Sequence, residues 1–144
     1  MKNIHKTAIL AYSAEKMYAL VADIESYPEF LPWCSKTVVE HDEAGQTVLA
    51  TLYIDFHGLK QHFTTRNVNH PSQLITMKLE NGPFEHLDGR WTFVPLAENR
   101  SRIEFSLHYE FSSTLFENLS VPVFDMVSST MVDSFRLRAK KVYG

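Results

Sequence analysis

Several common features are missing from this sequence, and each absence removes a class of protein. A single cysteine, Cys34, leaves no possibility of an internal disulfide and fits a reducing cytosol. Neither sign of charge dominates. Against 17 Asp and Glu stand 14 Lys and Arg, a formal net charge of −3, without the basic excess of a dedicated nucleic-acid binder, so DNA is not an expected partner. No apolar run approaches the roughly 18 residues of a membrane span, and the opening MKNIHKTAIL lacks the apolar length and cleavage pattern of a signal peptide. The expected location is therefore cytoplasmic, with any contact at an inner membrane peripheral. Internal repeats and low-complexity segments are absent. So are GxSxG, the P-loop and the dinucleotide fingerprint. The 7 histidines include no HxH or HExxH spacing, so no metal or cofactor is expected.

At 144 residues the chain reads as one domain, 1–144, large enough to bury a core without staples. Its most informative stretch is Ser13 to Cys34. An amphipathic segment there runs into Pro28 and Pro32, interleaved with Tyr27, Phe30, Leu31 and Trp33. Connections normally stay polar, so this one is expected to plug a core or to offer an apolar surface to a ligand or membrane.

Periodicity supplies the elements. Asn3 to Leu10 reads as a first strand. Ser13 suits a helix N-cap, and Met17, Leu20, Val21 and Ile24 follow at the spacing of one helix face. Pro28 favours the first turn of a second short helix, around Pro28 to Leu31. From Ser35 to Phe111 the period falls to two. Turn signals at Glu43-Ala44-Gly45, His57-Gly58, His70-Pro71-Ser72, Asn81-Gly82-Pro83 and Glu98-Asn99 cut this region into six antiparallel strands. Leu87, Gly89, Trp91 and Phe93 share a face, with Gly89 marking a bulge or a close backbone approach. Ile103, Phe105, Leu107, Tyr109 and Phe111 share the next. Ser113 to Tyr143 reads as a long helix with a stripe of Phe124, Val127, Met131, Phe135 and Val142, and Ala139 beside it. Pro122 is expected to kink or break it, so that Leu115, Phe116 and Leu119 belong to a separate face.

The predicted class is α+β with a helix-grip architecture. A curved antiparallel seven-stranded sheet wraps a long C-terminal helix, with one or two short helices after the first strand. Curvature leaves room for a cavity. Phe93, Phe105, Leu107 and Tyr109 from the sheet, and Phe124, Val127, Met131 and Phe135 from the helix, are the candidates to line it. Tyr27, Phe30, Leu31 and Trp33 are the candidates to gate it. An aspartate at Phe30 or Leu31 is then expected to abolish ligand retention with the fold intact. His62 and Arg66 share a face, and a cross-strand salt bridge is the expected role of Arg66. His108 is expected to be solvated. Arg136, Arg138, Lys140 and Lys141 form a basic end suited to the helix C-terminus or to phosphate-bearing surfaces.

The segments YSAEKMYALVADIESYPEFLPWC (Tyr12 to Cys34), FTTRN (Phe63 to Asn67), NGPFEHLDGRWTF (Asn81 to Phe93) and MVDSFRLRAKKVY (Met131 to Tyr143), in this order, resemble the START-like coenzyme Q-binding family. That family is also described as oligoketide cyclase/lipid transport proteins and shares the START/Bet v 1-like fold. The chain departs from its pattern at Val121-Pro122, where the resemblance implies a glycine before Val123-Phe124. One implied role is binding of ubiquinone or a related polyprenyl lipid in support of respiration. A second is that of a ribosome association toxin in a toxin–antitoxin pair, which binds the large ribosomal subunit and blocks translation initiation. A third, polyketide cyclase or aromatase-like catalysis, rests on fold analogy. No acid–base or nucleophile–base pair emerges from the spacing, so the chain is not expected to be an enzyme.

Overall fold

The computed structural model describes residues 1–144 apart from positions 43 and 45, with only the backbone described over 114–120. The expected Leu115, Phe116 and Leu119 face, and two residues of the first turn signal, lie outside the described residues. Seven strands form one antiparallel sheet in the order β1-β7-β6-β5-β4-β3-β2. They are β1 (Lys2–Leu10), β2 (Cys34–His41), β3 (Thr47–Phe56), β4 (Leu59–His70), β5 (Leu74–Asn81), β6 (Phe84–Ala97) and β7 (Arg100–Phe111). Consecutive strands from β2 to β7 pair as hairpins, and β1 returns to pair with β7. A two-residue turn at His57-Gly58 joins β3 to β4, and both residues adopt positive φ, 51° and 81°. That backbone matches the twist of the flanking strands and suits glycine in the second place.

Helix α1 (Ala14–Ala22) is capped as its sequence suggests: the Ser13 hydroxyl accepts the Lys16 amide at 3.1 Å. It buries Met17 and Val21 and ends before Ile24, because Asp23 leaves helical geometry at ψ 69°. The second helical turn is a 3-10 helix over Ile24–Glu29, earlier than the expected start at Pro28. The Phe30 and Leu31 amides both return to the Tyr27 carbonyl, which closes the turn.

The long helix α2 (Thr114–Tyr143) passes through Pro122 unbroken, so of the kink or break expected there the break does not occur; the residue lies on the exposed side. It packs against α1, β1, β4 and β7. Phe124, Val127, Val132, Phe135 and Ala139 are buried and Met131 is half-buried. Val142 is 49% exposed and leaves the stripe. Tyr143 takes over at that end, stacking near Tyr12 and donating its hydroxyl to the Lys16 carbonyl at 2.9 Å.

Gly89 serves a close approach and not a bulge. A Cβ there would lie 2.9 Å from Met77 Cε and 3.0 Å from Leu107 Cδ1. The irregularities of β6 fall elsewhere, between Phe84 and His86 and between Pro95 and Ala97. Ser101 is fully buried, and its Oγ is an orphan among the described residues. An unmade buried hydroxyl costs about 1–3 kcal/mol. Ser101→Ala is therefore expected to leave stability unchanged or raise it by about 1 kcal/mol. Urea denaturation checks this, and a clear loss would reveal a partner for the hydroxyl.

Candidate functional site

Between the sheet and α2 lies an apolar cavity of about 70 Å³. Strand alternation builds its floor. Ala50 and Leu52 of β3 face Thr65 and Phe63 of β4 across the ladder, with Asn67 one step beyond Thr65. Met77, Leu87 and Trp91 extend the floor, and Phe105 and Leu107 of β7 complete it. Phe124, Val127, Ser128 and Met131 of α2 form the roof, while Ile24, Tyr27 and Trp33 close one end.

Three polar residues interrupt this lining, all buried: Thr65, Asn67 and Ser128. The Thr65 hydroxyl donates to Asn67 Oδ1 at 2.6 Å. This fixes the Asn67 amide group, whose NH₂ has no hydrogen-bond partner among the described residues. Ser128 donates to the Phe124 carbonyl at 2.5 Å and also interacts with the Tyr109 phenol, so its hydroxyl is already engaged. An amide nitrogen that lines a cavity without a protein acceptor is free to donate to what the cavity holds. Tyr27 is the sole titratable side chain among the described lining residues. Burial holds its phenol far above the usual range, reinforced by Cys34 and Asp23, and its hydroxyl already donates to the Val21 carbonyl. Such a lining suits a neutral, largely apolar molecule.

Of the sequence-derived candidates, Tyr27, Trp33, Phe105, Leu107, Phe124, Val127 and Met131 meet at this cavity. Five do not. Phe135 lies behind it, wedged between the rings of Tyr27, Phe30 and Trp91 at 5.3–5.4 Å. Phe93 meets Tyr18 of α1 at 5.6 Å, since the helix covers that end of the sheet. Tyr109 stacks beside Phe124 and sends its hydroxyl to Asp125 at 3.0 Å. Burial raises that phenol's pKa, and the Asp125 carboxylate adds to the effect. Phe30 and Leu31 belong to the plug.

That plug differs from the expected gate. Leu31 and Trp33 are each 1% exposed, and Tyr27 is buried too. What the segment presents outward is Pro28, Glu29 and Pro32, with Phe30 half-buried. The Trp33 carbonyl is tied to the Asp55 amide at 3.0 Å. From α2, Arg138 lies over the Phe30 ring, 4.9 Å from its centroid, and reaches Glu29 at 3.7 Å. Arg138 is thus a clasp on the plug. Arg136 is held by Asp133 at 2.7 Å, and of the expected basic end Lys140 and Lys141 alone are exposed without an ion pair among the described residues. Arg138→Met keeps the stem and removes the charge. It is expected to lower stability by about 1 kcal/mol, the scale of a partly buried cation–π contact. An unchanged denaturation midpoint would show the clasp to be inert. Arg66 forms its cross-strand ion pair with Glu80 at 3.1 Å, His62 stacks on Tyr53, and exposed His108 bonds to Asn3.

Sequence reasoning missed Thr65, Asn67 and Ser128. The signal lay in FTTRN: Phe63, Thr65 and Asn67 share parity, so the face that buries the phenylalanine also buries the other two.

Comparison with known proteins agrees with this architecture. The family model described as polyketide cyclase/dehydrase and lipid transport matches residues 10–136. The ribosome association toxin RatA of Escherichia coli K12 is 43% identical over 143 residues, spanning 99% of this chain and 90% of that protein. A mitochondrial coenzyme Q-binding protein COQ10 homolog B from Xenopus laevis is 30% identical over 96% of this chain and 58% of its own length. The Zhui aromatase/cyclase from Streptomyces sp. R1128 shares the fold at TM-score 0.85 with 17% identity, covering 99% of this chain and 96% of that one. With the family model matched over residues 10–136 and the fold shared, the chain belongs to the polyketide cyclase/dehydrase and lipid transport family.

Proposed function

We propose that this protein binds an apolar molecule with an oxygen-bearing head, a polyprenyl quinone being the class favoured, and holds it between the sheet and α2. The observation that carries this reading is the Asn67 NH₂, which has no acceptor among the described residues, in a largely apolar cavity. A quinone carbonyl accepts from the amide, and ring and tail replace cavity surface. The similarity to a coenzyme Q-binding protein supports the same class. At about 70 Å³ the cavity is smaller than the roughly 150 Å³ that accommodates benzene. Loading therefore requires side chains to move. The role is sequestration and delivery in the cytoplasm, with no chemical step. Mass spectrometry of an organic extract from protein purified without detergent tests it. Near-stoichiometric ubiquinone or menaquinone is expected; an empty extract from protein that also fails to take up added quinone contradicts the reading.

A second reading is favoured by the full-length similarity to ribosome association toxins at 41–43% identity. It assigns the outer surface, and Lys140 and Lys141 in particular, to contact with the large ribosomal subunit, inhibiting translation. Sucrose gradients at moderate magnesium after overexpression test it: loss of intact ribosomes, relieved by neutralising both lysines, is expected. Unchanged gradients would contradict it.

A further inference from the structure

A second, smaller cavity of about 10 Å³ adjoins the first, and the two share Phe63 and Phe124 in their linings. The two rings meet edge to face with centroids 6.1 Å apart. Both cavities follow one ladder. Reading outward along β3–β4, Val48 faces Asn67, Ala50 faces Thr65, Leu52 faces Phe63, Ile54 faces Gln61 and Phe56 faces Leu59. The polar groups cluster at the deep end, and the ladder turns apolar toward the His57-Gly58 turn. The outer cavity is bounded by half-buried Leu59, Gln61, Pro83 and Phe111, so it leads to the surface at the outer end of the β3–β4 ladder.

We infer that the two cavities are one channel interrupted by the Phe63 and Phe124 rings, and that it takes an elongated apolar chain with its oxygen-bearing head at Asn67 and its tail emerging beside Leu59. This deepens the proposed ligand-binding function and rests on it. At roughly 3.3 Å per residue, the ladder from Leu59 to Asn67 is about 26 Å long, a length suited to a chain and not to a compact ring. Joining the two cavities requires rotation of two side chains and leaves the strand register intact. The plug, by contrast, is fixed by backbone hydrogen bonds and the Arg138 clasp. Space beside Phe63 depends on Gly82, where a Cβ would lie 2.7 Å from Phe63 Cβ. Ring rotation and tail entry thus occur at one place, the outer end of β4.

Calorimetric titration with two probes tests the channel. One is 2,3-dimethoxy-5-methyl-1,4-benzoquinone, a head without a tail, and the other is its 6-decyl derivative. The native protein is expected to bind the decyl compound at least tenfold more tightly. Leu59→Trp and, separately, Gln61→Phe fill the outer cavity and are expected to abolish that gain while leaving the head-only affinity within twofold. Either folded variant keeping the full gain overturns the channel and leaves the inner cavity standing. Equal binding of both probes by the native protein overturns it without recourse to variants. Binding of neither probe removes the ligand-binding function itself.

Discussion

Leu31→Asp is expected to unfold the protein and not merely to release a ligand. Leu31 is 1% exposed, its amide closes the turn at Tyr27, and its carbonyl receives the Cys34 amide. Losing the leucine in a packed site costs about 2–5 kcal/mol. A carboxylate placed there would add several kcal/mol of desolvation, with no cation among the described residues paired to that position. Native domains hold about 5–15 kcal/mol in total. The variant should therefore appear in inclusion bodies, or show a flat thermal melt. A folded Leu31→Asp protein within about 1 kcal/mol of the native midpoint would mean that the plug opens readily, as a gate would.

The second large effect concerns affinity. Asn67→Leu is nearly isosteric and removes the side-chain amide proposed to meet the ligand oxygen. A site that loses such a hydrogen bond gives up about 1–3 kcal/mol, so quinone affinity should fall roughly ten- to hundredfold. The apo protein should lose little, because the variant also removes the uncompensated amide, although the Thr65 hydroxyl then lacks its acceptor. Titration of head-only quinone against both proteins measures the difference. Equal affinities would assign head recognition to another residue. The Thr65→Val, Asn67→Leu pair removes both partners and should be at least as stable as Asn67→Leu alone.

Nearly all of the fold was legible in the sequence, because periodicity is a direct consequence of burial on one face. Strands β2 to β7 end where the Gly, Pro and Asn signals lie, and Ser13 caps α1 as its side chain allows. The errors were local. Pro122 does not break α2, and Val142 turns outward because the helix there has passed the buried stripe and Tyr143 packs instead. The site was half legible. Tyr27, Trp33, Phe105, Leu107, Phe124, Val127 and Met131 converge, but periodicity gives only the face and not the depth along it. Phe93 and Phe135 share faces with cavity residues and are taken by α1 and the plug respectively. Thr65 and Asn67 were hidden for a different reason: polar residues on a strand are read as solvent-facing unless their parity is compared with a neighbour such as Phe63. Arg138 looked like surface charge because a cation resting on a buried ring leaves no periodic trace.

The most direct test is a two-dimensional nitrogen–proton spectrum of uniformly labelled protein during titration with head-only quinone. It resolves the Asn67 side-chain amide and the indole NH groups of Trp33 and Trp91, the chain's 2 tryptophans, both of which line the cavity. Ligand bound as proposed shifts all three together, the Asn67 amide protons most, while the Lys140 and Lys141 backbone peaks stay in place. Shifts confined to the surface, or an Asn67 amide indifferent to saturating quinone, would contradict the assignment of this cavity as the binding site.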